Sequence, residues 1–493
     1  MAFHLHTPTT QPVMRRLPAP KYTPDMLILM PNKGMKDQDL KETMEEVHGT
    51  VIGSLGQGDL KCYIVKTEKG HLEDTEKKLT KDRKHFATVA RNYCVPSNAI
   101  VPDAASNPDF SQQWHLQALH CPQVWSHATG SGVKIAVFDS GCAASNPELN
   151  GKVERGYDAY SVVATILGGA AMLFPGLAAP GATEAVSLVA GLADKITGGR
   201  ADSDDKGHGT EVSTCAAGNM NAGLGVGIAP NARIYPVKIS EANTPGSDHQ
   251  FTSDLELIAG MINIMSHPEI RIVNISYNLA YVGFHNASLH PALHVYFSKF
   301  FYERSGLIFM SAGNDGCFDP APPVPYLCVV SGCDRMGNKY DKSNTGPFIT
   351  FTGPAVDITV AGIDNKGTKA HPNSYATTAN GTSFSSPILA GIAALILDKE
   401  PLLPNYLVLQ RMIAACDNSD GSPAAIKSTK GVPVFNTNFG WGMPDAFMAV
   451  TGSSNMSTYT VAGGAPGVAG TANVRGGDAG RRVSAVFKQP VGP

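Results

Sequence analysis

The stretch NGTSFSSPILAGIAAL, residues 380–395, joins a small polar turn to an apolar helix, with a serine at the junction. Gly381 lets the backbone turn sharply, Pro387 suits a first helical turn, and Ile388, Leu389, Ile392, Leu395 and Ile396 form a helical apolar stripe. Ser383 is therefore expected at a helix N-terminus. The unpaired N–H groups there, with the positive end of the helix dipole, can meet an anion forming beside the serine oxygen. A Ser/Thr-rich helix cap has the same appearance. Only a base and an orienting acid elsewhere in the chain would make Ser383 a nucleophile.

VFDSG places Asp139 where an apolar strand ends in a tight turn. Ligand sites of open α/β sheets assemble at such carboxyl ends. KGHGTEVSTCAAG (206–218) sets His208 between two glycines at the start of a helix. SAGNDG (311–316) puts Asn314 just past a buried strand. Alone, each reads as an ordinary turn residue or structural histidine. Together they are chemically compatible. A serine hydroxyl needs a neighbouring base, an imidazole can take its proton and return it to a leaving amine, and a carboxylate can fix the imidazole tautomer. The Asn314 amide could hydrogen-bond the oxygen of a tetrahedral intermediate beside the Ser383 N–H.

The surroundings fit an α/β chain. VKIAVFD (133–139), RIYPVKI (233–239), IRIVNISY (270–277), GLIFMSAG (306–313) and YLCVVSGC (326–333) are short apolar runs suited to a buried parallel sheet. Helical stretches such as 251–267 lie between several of them. The expected architecture is a doubly wound, mostly parallel sheet with helices on both faces. Ahead of it, residues 24–101 read as a small α+β unit: a strand at 26–31, a helix at 37–49, a hairpin over 50–67, a helix at 72–94 and a last strand near 95–101. Residues 1–23 and the Gly/Ala-rich 453–493 read as flexible ends, and 102–112 as a linker.

Bulk composition narrows the partners. With 493 residues the chain exceeds a single core and accommodates a catalytic domain with an accessory one. A net charge of −3 with signs interspersed offers no basic stripe for nucleic acid. The nine cysteines show no CxxC pair and no zinc spacing, which leans toward a reducing compartment. MAFHLHTPTTQPVMRRLPAP lacks an unbroken apolar core, so the expectation is a cytoplasmic protein or one exported by a non-standard route.

DSG, HGT, SAGN and GTSFSSP, in this order, resemble the subtilases, the subtilisin-like serine proteases. The resemblance extends over roughly 110–450, with WHLQALHCPQVWSHATGSGVKIAVFDSG as its lead-in and NTNFGWGMPDAFMAV as its closing segment. It implies a serine endopeptidase acting on polypeptides, with Asp139, His208 and Ser383 as the triad and Asn314 as the oxyanion donor. It also implies substrate-binding positions at Ser276, Tyr277, Asn278, Ser311, Ala312 and Gly313. Residues 24–101 resemble the family's prodomain, a folding assistant and intramolecular inhibitor, with self-cleavage in 99–110. The chemistry requires no cofactor and no metal; structural calcium, which many subtilases bind, is not legible here.

Departures from the family are local. Glu211 stands where a second histidine is usual, and Tyr277-Asn278 where Leu-Gly is usual, which predicts an altered rim of the substrate cleft. Residues 159–193 carry one charge, Glu184, and approach a membrane span in length, but Pro175, Pro180 and five glycines argue against a continuous helix. This insertion, 159–197, reads as a helical hairpin packed on the catalytic domain, or else as a lid or a membrane- or protein-docking patch. Cys142, Cys215 and Cys317 follow their motifs closely and read as small buried side chains or, alternatively, as sensitive thiols.

Overall fold

The computed structural model describes residues 22–97, 113–173, 200–220, 225–240, 250–277, 283–363, 375–416, 435–452, 459–460 and 471–472. Its centre is a seven-stranded sheet in the spatial order Ile349–Pro354, Cys328–Cys333, Leu307–Ser311, Ile270–Ile275, Lys134–Asp139, Arg233–Lys238, Tyr157–Asp158, every pairing parallel. The strands are β5 (Lys134–Asp139), β6 (Tyr157–Asp158), β7 (Arg233–Lys238), β9 (Ile270–Ile275), β10 (Leu307–Ser311), β11 (Cys328–Cys333) and β12 (Ile349–Pro354). Chain order reverses between β5 and β9, the switch point where α/β sheets open a crevice at their carboxyl ends.

Alternation along each strand supplies both faces. Ile135 and Val137 enter one apolar cluster with the His208–Ala217 and Thr382–Lys399 helices, while Ala136 and Phe138 enter a second with the Asp254–Met265 and Pro291–Arg304 helices. The Thr382–Lys399 helix is buried from Thr382 to Leu397, as expected of a segment apolar on every side.

Residues 22–97 form a second, antiparallel sheet: β1 (Tyr22–Pro31), β2 (Gly49–Leu55), β3 (Cys62–Thr67) and β4 (Phe86–Ser97). Here too the period of two divides the side chains. Leu27 and Leu29 pack under the Asp37–Glu46 and Leu72–Lys81 helices, whereas Met26, Ile28 and Met30 join the second cluster of the parallel-sheet unit. Burying each large aliphatic side chain is worth about 1.5–3 kcal/mol, so this face holds the two units together. The end of β4 extends the union: Cys94–Ser97 pair antiparallel with β8 (Gln250–Ser253), making order β2-β3-β1-β4-β8.

Two elements differ from the sequence reading. The helix expected over 72–94 stops at Lys81 because Asp82 turns the chain: its carbonyl accepts from the N–H of Phe86 and its carboxylate from His85. Phe86–Ser97 is then a strand. The helix expected from 251 begins at Asp254, where Ser253 and Glu256 form a capping box and free Gln250–Ser253 to pair with β4. In the insertion, Ala159–Leu173 is a helix that holds Gly168 and Gly169 and lies ahead of Pro175; the stripe at 185–196 lies outside the described residues. Among the described residues, no helix is long and apolar enough to cross a membrane.

Candidate active site

Asp139 closes β5, fully buried, and Oδ1 accepts from the Ser140 N–H at 2.8 Å. His208 begins its helix after Gly207, and its Nδ1 lies 2.8 Å from the same Asp139 oxygen. Nδ1 thus donates to the carboxylate, which leaves Nε2 as the acceptor; Nε2 is buried and has no hydrogen-bond partner. The imidazole stands edge-on to the ring of Phe384, 5.9 Å between centroids, next to Ser383. Close approach makes this possible. A Cβ on Gly209 would lie 2.1 Å from the Gly141 carbonyl oxygen, so only glycine lets the HGT turn seat on the DSG turn.

Ser383 is the second residue of its helix and 5% exposed. Gly381, at φ +154°, makes the sharp entry, and a Cβ there would stand 3.1 Å from Ser383 Oγ and 3.4 Å from Asn314 Nδ2. The serine oxygen and the Asn314 amide nitrogen therefore converge over one glycine. Asn314 Oδ1 accepts from the Thr382 N–H at 2.9 Å and from Thr382 Oγ1 at 3.1 Å, which fixes the amide orientation.

Pro387 is the sixth residue of this helix and not part of its first turn, a correction with a consequence. Lacking an N–H, it cannot bond the carbonyl four residues earlier, which is that of Ser383. Ser276 Oγ donates to that carbonyl at 2.8 Å, itself receiving from Asn274 Nδ2, while Asn274 Oδ1 accepts from Ser386 Oγ at 2.6 Å. The Ser276 side chain thus braces the helix entry.

The remaining expected substrate positions are placed as follows. Tyr277 is fully buried with its hydroxyl donating to Ser240, so its side chain does not shape a rim. Asn278 lies outside the described residues. Ser311 Oγ donates to the Tyr277 carbonyl at 2.8 Å, the Ala312 carbonyl accepts from Asn344 Nδ2, and the Gly313 N–H donates to Thr382 Oγ1 at 3.1 Å. The Asp315 carboxylate lies 3.4 Å from Asn344 Nδ2.

Asp204 escaped the sequence reading. Its Oδ1 accepts from Ser140 Oγ, the Lys206 N–H and the Gly207 N–H, and its Oδ2 from the N–H and hydroxyl of Thr210. One buried carboxylate thereby ties the turn after Asp139 to the turn that carries His208. The only local signal was an excess of acids in ADSDDKG, which does not single out one of them.

Burial opposes charge on His208, but the Asp139 carboxylate outweighs it and raises the imidazole from 6.5 to about 9. Glu211, buried one turn along, is pushed up by burial from 4.5 to about 8, against the attraction of His208. Its Oε2 has no hydrogen-bond partner. Cys142, Cys215 and Cys317 are buried; burial raises the thiols of Cys142 and Cys215, and Cys317 Sγ donates to the Asp315 carbonyl at 3.4 Å. Among the described residues, no group of three or more histidines, cysteines or acids is placed to hold a metal.

Comparison with known proteins adds descent to this geometry. The family model described as the subtilase family matches residues 130–442. The minor extracellular protease Epr of Bacillus subtilis (strain 168) is 27% identical over 318 residues, 64% of this chain and 39% of that protein, so the chain spans about two fifths of this relative. Subtilisin Savinase of Lederbergia lenta is 28% identical over 60% of this chain and 88% of its own. In fold, the chain is similar to fervidolysin from Fervidobacterium pennivorans, a keratinolytic enzyme related to subtilisin: TM-score 0.61 and 17% identity, over 93% of this chain and 64% of that one. A match over residues 130–442 covers the parallel sheet and all four motif segments, and on it the chain belongs to the subtilase family.

Proposed function

We propose that this chain is a serine endopeptidase, made as a self-processed zymogen. The observation that carries the reading is the hydrogen bond between a buried carboxylate and His208 Nδ1, with Nε2 left without a partner and the ring edge-on to Phe384, the residue after Ser383. Ser383 Oγ attacks a peptide carbonyl as His208 Nε2 takes its proton. Asp139 holds the tautomer and stabilises the imidazolium. The oxyanion receives hydrogen bonds from Asn314 Nδ2 and the Ser383 N–H, with Thr382 orienting the amide. His208 then protonates the leaving amine, and water, deprotonated by the same imidazole, releases the acyl group.

Residues 24–101 act in this reading as the prodomain. The pairing of Cys94–Ser97 with Gln250–Ser253 supports it, since a strand added to an exposed edge is how an extended peptide is bound. Self-cleavage falls in 99–110, a segment outside the described residues. The test is a fluorophosphonate probe with casein hydrolysis alongside. Wild type is expected to label and to digest casein, and Ser383→Ala to do neither; labelling retained in Ser383→Ala would overturn the assignment.

A further inference from the structure

The Ala159–Leu173 helix opens the apolar insertion, and the catalytic reading gives it no task. Ala164 and Thr165 are exposed, but the opposite face is turned from solvent. Ala159, Val162, Val163 and Ile166 are buried in the cluster that also holds Ile52, Leu55 and Ile64 of the N-terminal sheet. Ile166 makes the closest fit: a Cβ on Gly53 would lie 2.3 Å from Ile166 Cγ2. Gly53 follows a register shift in β2, where Val51 pairs with Val65 and Gly53 with Ile64. The missing side chain leaves a notch in β2, and Ile166 fills it.

Position in the sheet gives this notch its meaning. β2 is the strand farthest from β8 in the order β2-β3-β1-β4-β8. The N-terminal unit is thus fastened at both edges, by backbone pairing of β4 with β8 and by the seating of β2 on Ile166. In the connection between β2 and β3, the Leu60 carbonyl accepts from the Tyr296 hydroxyl at 2.7 Å. Two attachments at opposite edges must open together before the unit can leave. Each therefore keeps the other at high effective concentration.

We propose that the Ala159–Leu173 helix is a docking element for the chain's own residues 22–97, and that it retains them as a bound subunit after the connecting segment is cut. The inference rests on the reading of residues 24–101 as a prodomain, but its test need not. In a Ser383→Ala chain carrying an inserted site for an exogenous sequence-specific protease between residues 102 and 110, the connection is cut from outside. Release of the N-terminal fragment that contains residues 22–97 is then followed by native mass spectrometry and gel filtration.

The parent is expected to keep the fragment through gel filtration. Gly53→Ala places a methyl group against Ile166 and is expected to speed release by about tenfold or more. Combining Gly53→Ala with Ile166→Ala removes the obstructing Cγ2 and is expected to restore retention toward the parent. Ile166→Glu, which alters nothing within the N-terminal unit, is expected to speed release as well and serves if Gly53→Ala does not fold. Unchanged release in Ile166→Glu, or a double variant no better than Gly53→Ala alone, would overturn the inference. Failure of self-processing in the otherwise unaltered chain would count only against the protease reading.

Discussion

Glu211 offers a perturbation whose sign and size follow from burial. It lies within the electrostatic reach of His208, Asp204 and Asp139, and burial raises its carboxyl from 4.5 to about 8. An unfolded chain would ionise Glu211 near 4.5 while the folded one keeps the proton to about 8. Stability therefore falls as pH rises through that window and is level above it. The gap corresponds to roughly 4–5 kcal/mol at most. Glu211→Gln keeps the shape, stays neutral and has no such loss. In a Ser383→Ala background, which suppresses self-digestion, thermal melts of both chains at pH 5 and pH 8.5 should diverge. The variant should gain on the order of 5–8 °C relative to the parent between the two pH values. An unchanged difference, or a parent that gains on the variant, would refute the placement of a neutral carboxylic acid beside the histidine.

The same pair shapes the pH–rate profile. In the proposed mechanism His208 has to be neutral to accept the serine proton and is raised to about 9, so kcat/KM is expected to fall with acid through a limb above the ordinary 6.5, and Glu211→Gln should move that limb downward. Asn314→Ala should lower kcat by about 10²–10³, a magnitude borrowed from subtilisin, the type case of such a donor, while leaving KM nearly unchanged. Thr382→Val, which removes the hydroxyl that helps orient Asn314 and accepts from the Gly313 N–H, should cost roughly tenfold in the same assay. Asp204→Asn turns one of two accepting oxygens into a donor facing N–H or O–H groups; urea unfolding should show a loss of roughly 3 kcal/mol or more.

What the sequence made legible was local. Asp139, His208, Asn314 and Ser383 each sit where a strand or turn meets a helix or loop, and glycines beside them mark the turns. The buried strands β5, β7, β9, β10 and β11 likewise stand out as short apolar runs. Contacts between distant segments were not legible. Gln250–Ser253 has a helical neighbour in sequence and becomes a strand because β4, more than 150 residues earlier, offers an edge. The role of Ser276 depends on a carbonyl freed by Pro387, and that of Asp204 on donors from Ser140 to Thr210. Tyr277 read as a rim residue because Tyr277-Asn278 stand where the resembled family has Leu-Gly at its substrate edge, but its ring turns into the core.

The central claim is that Ser383, with His208 and Asp139, cuts peptide bonds, beginning with one in its own chain. Intact-mass and N-terminal measurement of the purified protein tests it most directly. Wild type should yield a polypeptide starting within 99–110, and Ser383→Ala, prepared in the same way, should keep the full mass. Identical masses for the two, whether both intact or both cut at the same bond, would contradict the account.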